Sequence, residues 1–250
     1  EVLMLDRDTG FDKVFKILGV TTEELFSDNA ARMHRRNIKQ GDGGVHTRLR
    51  IDVTTLTNLI RDPDNYSFTG KLRMEDVARI GYVSQFATRD GDQSVTIYDY
   101  LCEDFLALEQ AITDVCLQME SAEDMDALME RYQNLLDESD AVDADNYEGN
   151  IRRQLKLAEL EDKAELALEN LSGGELKLVQ VIRQMLRRPG LLIMDEPDVF
   201  LDFENLNGLR DLINAYEGTL LVITHSRYLL AHCFDRIWHL ENGDLQEFEG

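Results

Sequence analysis

Residues Leu171–Pro197 read LSGGELKLVQVIRQMLRRPGLLIMDEP. Leu191–Met194 are four consecutive apolar residues, the pattern of a strand buried on both faces of a parallel sheet. Such a strand delivers Asp195 and Glu196 to the carboxyl edge of the sheet, where ligands of α/β proteins bind. There Asp195 can hold Mg²⁺, directly or through water, and Glu196 is placed to orient or activate a water against a γ-phosphate. Upstream, Ser172 is a plausible N-cap for a helix running through LKLVQVIRQMLRR, and Gly173 and Gly174 let backbone N–H groups approach an anion. Taken alone, a strand ending in Asp-Glu is more often a solvated strand end, and S-G-G-E can be an ordinary capped helix. Their close succession favours one shared site.

Reading downstream, ENLNGLRDLINAY (204–216) is amphipathic and GTLLVITHS (218–226) is a second buried strand, with His225 at its end. Histidine at that rim can hydrogen-bond a γ-phosphate. His232 and His239 have no matching motif and read as structural. DRIWHLENGDLQEF (235–248) reads as a hairpin turning at Asn242-Gly243. Alternating helices and strands predict a mainly parallel sheet with crossover helices.

Reading upstream, NIRRQLKLAEL (150–160) predicts a helix. Tyr98–Asn150 predicts two antiparallel acidic helices, with Leu101, Phe105 and Leu108 on one face of the first and Met125, Leu128, Met129 and Leu135 on the second. Ser121 and Asp124 stand at capping-box-like spacing between them. ARIGYVSQF (78–86) predicts a strand ending near Gln85. Earlier still, RDPDNYSFTG (61–70) is turn-rich, VTTLTNLI (53–60) fits helix or strand, and IKQGDGG (38–44) is a glycine turn. FDKVFKIL (11–18) fits a strand and TTEELFSDNAARMHRRN (21–37) a helix.

A chain of 250 residues is long enough for one large domain with an insertion. Three scattered cysteines, Cys102, Cys116 and Cys233, fit neither a disulfide framework nor a zinc site, which points to a reducing, cytoplasmic setting. No apolar run approaches the roughly 20 residues of a membrane span, and the first residues do not read as a secretion signal. The net charge of −23 opposes phosphate backbones and favours basic partners. Residues 103–150 hold 15 acidic side chains against one basic one, Arg131, so this segment carries most of the imbalance. A charge run of this kind most often marks a solvated helix face.

The motifs together resemble the ABC ATPase family: LSGGE as its signature, LLIMDEP as its Walker B strand, Phe200–Asp202 as its D-loop and His225 as its switch histidine. Gln85 in YVSQF matches the Q-loop glutamine. The ending SRYLLAHCFDRIWHLENGDLQEFEG and the strand GTLLVITHSRYLL are similar to the ABC-F subfamily, and the acidic helices fall where that subfamily inserts an arm into its first ABC domain. The resemblance implies an α/β nucleotide-binding domain with a mixed, mainly parallel sheet and an inserted helical arm. Its divisions would be an N-terminal core part over 1–100, an arm over 101–150 and a signature, Walker B and switch part over 151–250.

The same resemblance implies ATP and Mg²⁺ as ligands, with Glu196 and His225 catalytic. Asp195, Gln85 and Thr54 would surround the metal. Gln85, Ser172, Gly173, Gly174, Glu175, Asp202 and Thr54 would contact the nucleotide. It also implies a second ABC domain completing a composite site, and a macromolecular partner, either the ribosome or a basic protein. The Walker A loop departs from G-x-x-x-x-G-K-[ST]: in TRLRIDVTT (47–55), Thr47 and Asp52 take the glycine positions and Val53 the lysine position, leaving Thr54. Asp198-Val199-Phe200 replaces the subfamily's usual T-N-H, and Ser226 replaces its usual Asp. The alternatives are a catalytically degenerate regulatory or scaffold module and the ATPase subunit of a transporter.

Overall fold

The computed structural model describes residues 2–5, 79–89, 91–120, 125–241 and 244–249. Thr54, the altered loop at 47–55, the Ser121/Asp124 capping spacing and all elements expected between residues 11 and 70 lie outside them.

Two compact units are formed. One draws its described residues from Glu1–Gln85, Pro189–Val199 and Glu217–Gly250, the other from Phe86–Arg188 and Phe200–Tyr216.

The first unit holds a mixed sheet of β1 (Val2–Leu5), β2 (Ile80–Val83), β3 (Leu191–Asp195), β4 (Thr219–Thr224), β5 (Arg236–Glu241) and β6 (Asp244–Glu249). The order across it is β2-β3-β4-β1-β5-β6. β2, β3 and β4 pair in parallel, with Tyr82 opposite Ile193 and Ile193 opposite Leu221. β1 is antiparallel to both β4 and β5, and β5 and β6 pair antiparallel, as the expected hairpin requires; its turn at Asn242-Gly243 lies outside the described residues. The parallel half matches the continuous apolar runs: Leu191–Met194 and Leu220–Ile223 are buried along their whole lengths. β2 stops at Val83, so Gln85 stands two residues beyond the strand. Between β4 and β5 lies a short helix, Arg227–Cys233.

The second unit is helical. Its elements are α1 (Ile97–Met119), α2 (Met125–Val142), α3 (Tyr147–Leu157), α4 (Gly173–Leu186) and α5 (Phe203–Ala215); the helix Arg227–Cys233 of the sheet unit is α6. Thr96 caps α1 by accepting from the Asp99 N–H at 3.0 Å. Leu101 is fully buried as its spacing predicts, and Val115 and Ile97 share that burial. α2 is different, because Val142 alone of its residues is buried and Met125 and Met129 are exposed. The apolar positions expected to close α2 onto α1 are therefore only partly spent on packing. α4 and α5 approach closely at Gly208, where a Cβ would lie 3.2 Å from the Ala158 backbone and 3.3 Å from Leu178.

The acidic segment is not merely solvated. Asp104 on α1 accepts from Arg183 at 3.1 and 2.9 Å and from Arg187 at 2.7 and 2.9 Å, both on or just past α4. Glu103 adds a contact to Arg183 at 2.7 Å, and the Arg183 guanidinium lies 4.3 Å from the Tyr100 ring centroid. Asp143, in a left-handed conformation just past α2, accepts from Arg188 at 2.7 Å. The feet of the acidic helices are thus fastened to the helix that follows the LSGGE motif.

Candidate active site

In the sheet unit, the parallel strands β2, β3 and β4 end side by side and bring Gln85, Asp195, Glu196 and His225 to one rim. Asp195 is the last residue of β3 and its Oδ2 accepts from the Tyr82 hydroxyl at 3.2 Å. Glu196 follows with φ 43°, left-handed for a residue with a Cβ, a conformation that costs about 1–2 kcal/mol and concentrates at functional sites. It is held there by two backbone bonds. Its N–H donates to the Ile223 carbonyl at 2.8 Å, and its carbonyl accepts from the Val199 N–H at 3.2 Å.

This backbone turn aims the Glu196 carboxylate at two neighbours. Gln85 Nε2 donates to Oε2 at 2.5 Å, and His225 Nε2 lies 3.6 Å from Oε1. The Glu196 side chain is 23% exposed and the His225 ring 60%, so the pair is anchored from below and open to an incoming ligand. Beside them, the Thr224 hydroxyl donates to Asp198 Oδ1, and Thr224 Oγ1 accepts from the Ser226 N–H at 2.9 Å.

Asp195, a hard oxygen donor at a strand end, is the residue that could hold a divalent metal. Among the described residues no group of three or more His, Cys, Asp or Glu is arranged to hold a metal.

The helical unit carries the remaining candidates. Ser172 is the N-cap of α4 in a complete capping box: its Oγ accepts from the Glu175 N–H at 3.2 Å, and Glu175 Oε2 accepts from the Ser172 N–H at 2.7 Å. Glu175 is also paired with Lys163. Burial raises the Glu175 pKa, but the bond from Lys163 and those from Ser172 outweigh it and leave the carboxyl below its usual range. Glu175 is therefore occupied in fixing the loop. Arg89 secures the same loop from behind by donating to the Leu168 and Leu171 carbonyls at 3.2 and 2.8 Å.

The two glycines have different surroundings. Nothing lies within 4 Å of a Cβ built on Gly173, so a side chain there would meet open space. A Cβ on Gly174 would lie 2.7 Å from Asn205 Nδ2, so that glycine serves the packing of α4 against the start of α5. Gly173→Ala should leave stability unchanged or raise it by up to about 1 kcal/mol through helix propensity. Gly174→Val should cost about 1–3 kcal/mol by overpacking. Thermal unfolding of the two variants side by side checks the contrast; equal melting temperatures would contradict it. Asp202 caps α5, accepting from the Asn205 N–H at 2.8 Å.

Sequence reading identified the rim residues but not their supports. Tyr82 and Arg89 find their partners far along the chain, and Lys163 stands outside the quoted motifs. Thr54 cannot be placed with the others, because it lies outside the described residues.

A family model described as "AAA domain, putative AbiEii toxin, Type IV TA system" matches residues 47–231, beginning at the first residue of the altered loop. Energy-dependent translational throttle protein EttA of Haemophilus influenzae (strain ATCC 51907 / DSM 11121 / KW20 / Rd) is 30% identical over 199 residues, 79% of this chain and 35% of that protein. Uncharacterized ABC transporter ATP-binding protein YfmM of Bacillus subtilis (strain 168) is 26% identical over 208 residues, 79% of this chain and 39% of that protein. The chain thus spans little more than a third of the length of these curated relatives. The solved structure of "RNase-L Inhibitor" superposes with a TM-score of 0.49 at 20% identity, covering 78% of this chain and 32% of that one.

The chain belongs to this family of AAA domains. It is an ABC ATPase domain of ABC-F-like type, with a mixed α/β fold.

Proposed function

We propose that the chain is the nucleotide-binding and nucleotide-hydrolysing part of an ABC-F-like protein, acting in translation in the cytoplasm with a macromolecular partner. The observation that carries it is the Glu196 carboxylate, held at the carboxyl rim of three parallel strands by Gln85 at 2.5 Å and facing His225 at 3.6 Å. That is the arrangement of a general base with an orienting amide on one side and a phosphate-directed imidazole on the other.

In this reading Glu196 accepts the proton of the attacking water, and Gln85 fixes the carboxylate that receives it. His225 donates to a γ-phosphate oxygen. Asp195, which accepts from the Tyr82 hydroxyl, would hold Mg²⁺, and the ion would supply electrostatic neutralisation of phosphate charge. Ser172 and the backbone at Gly173 meet the nucleotide of a second ABC domain, and Asp202 contributes to the same composite site. The names of the relatives called translational throttle proteins support a role in translation. The net charge of −23 favours a basic protein component as the direct neighbour over bare RNA. Among the described residues no helix is long and apolar enough to cross a membrane.

A second reading, a regulatory module with a degenerate nucleotide site, is favoured by Asp52 and Val53 in the Walker A positions. Titration with a fluorescent ATP analogue and Mg²⁺ separates the two. Rebuilding the loop with Thr47→Gly, Asp52→Gly and Val53→Lys should tighten binding about 10- to 150-fold, the worth of one restored charge-assisted contact of about 1.5–3 kcal/mol. Weak but measurable binding by the native chain is the result expected of a working site. No binding before rebuilding would favour the regulatory module, and no binding after it would overturn the nucleotide assignment.

A further inference from the structure

We infer that Asp198 is a positioning residue for His225, acting through Thr224; the inference rests on the proposed role of the Glu196–His225 rim. The geometry is a short chain of bonds. Asp198 lies two residues past Glu196, in the turn closed by the Val199 N–H to Glu196 carbonyl bond. Its Oδ1 accepts from the hydroxyl of Thr224, the last residue of β4, whose side chain is fully buried. Thr224 Oγ1 in turn accepts from the Ser226 N–H at 2.9 Å, and Ser226 Oγ caps α6 by accepting from the Leu229 N–H at 3.4 Å.

His225 is the residue between Thr224 and Ser226. Both of its chain neighbours are therefore fixed, one by a side chain from the adjacent strand end and the other by that same hydroxyl and by a helix start. The ring itself is 60% exposed and is not held in place by burial. Its distance to Glu196 is accordingly set by backbone that Asp198 braces. The brace also joins the two segments that carry the pair, since Asp198 shares its turn with Glu196 and Thr224 precedes His225.

The residue types suit this role. A buried threonine hydroxyl needs a partner, because leaving it unpaired costs about 1–3 kcal/mol. A carboxylate at position 198 accepts from it strongly. Thr224 is the link between the carboxylate of Asp198 and the backbone at Ser226.

The test uses the full chain and two readouts. The first is the imidazole ¹H–¹³C signal of His225, assigned by its loss in His225→Gln and recorded without nucleotide, so that it reports the brace whether or not ATP is turned over. The second is steady-state ATP hydrolysis resolved into kcat and KM.

Asp198→Ala and Thr224→Val should shift or broaden the His225 signal and lower kcat roughly tenfold with KM for ATP within about twofold of native, while Asp198→Asn and Thr224→Ser, which keep an acceptor and a hydroxyl, should retain both native values. Far-UV circular dichroism confirms that each variant is folded, and the paired conservative variants keep the test decisive if Thr224→Val is not.

An unmoved His225 signal in Asp198→Ala, or equal losses in the conservative and disruptive variants, overturns the positioning role. A signal that moves in Asp198→Ala, together with a native chain that hydrolyses no ATP, leaves the brace standing and overturns the functional reading it serves.

Discussion

Glu196→Gln should reduce the rate of ATP hydrolysis by about 10²–10⁴-fold while leaving nucleotide affinity within a few-fold of native. The amide is nearly isosteric and still presents an oxygen to Gln85 Nε2, so the 2.5 Å contact and the left-handed turn at residue 196 can persist. What is lost is the basicity that takes the proton from the attacking water. That rate factor corresponds to about 3–5 kcal/mol of transition-state stabilisation. Because Glu196 and His225 face each other at 3.6 Å, a His225→Ala change added to Glu196→Gln should cost much less than it does alone. Phosphate release by the two single variants and the double variant measures this. Additive losses would mean that the two side chains work independently, and an undiminished rate in Glu196→Gln would remove it from the chemistry.

The second large effect concerns the joint between the acidic helices and α4. Asp104→Ala should destabilise the helical unit by about 1–3 kcal/mol, since it strips partners from both Arg183 and Arg187 and leaves two guanidinium groups beside each other. The lower part of that range reflects screening, because the Arg187 side chain is 42% exposed. Burial on its own would raise the Asp104 pKa, but the hydrogen bonds from Arg187 and Arg183 outweigh it and hold the carboxyl well below the usual carboxylate range. A carboxyl depressed in the folded state stabilises fully above its unfolded pKa of about 4, and that stability is lost as pH falls through the folded value. The difference between native and Asp104→Ala chains should therefore be constant from neutral pH down to about pH 5 and shrink below it. Urea unfolding followed by far-UV circular dichroism, which the helices dominate, reports it. A gap that stays constant down to pH 3 would show that the ion pairs are not its source.

The parallel strands were legible because burial on both faces leaves an unmistakable mark: Leu191–Met194 and Leu220–Ile223 contain no polar residue, and a residue proposed for the site follows each run within two positions. The start of α4 was legible for a similar local reason, since Ser172 and Glu175 satisfy each other within three residues. Contacts between distant segments were not legible. Gln85 meets Glu196 across 111 residues of sequence and Arg183 meets Asp104 across 79, and neither spacing is periodic or bounded by a turn. The acidic run illustrates the limit well. Its charge favoured a solvated face, which holds for much of α2, yet Glu103, Asp104 and Asp143 are spent on arginines that the run itself does not contain. Gly174 shows the same limit at a single atom, because Asn205, thirty-one positions later, decides what that glycine is for.

The most direct test of the hydrolytic site is the identity of the nucleotide recovered from the chain after incubation with ATP and Mg²⁺, separated by ion-exchange chromatography. A base at Glu196 implies ADP from the native chain and intact ATP from Glu196→Gln, with similar amounts bound to each. ATP recovered unchanged from both, or ADP recovered equally from both, would contradict a hydrolytic role for Glu196.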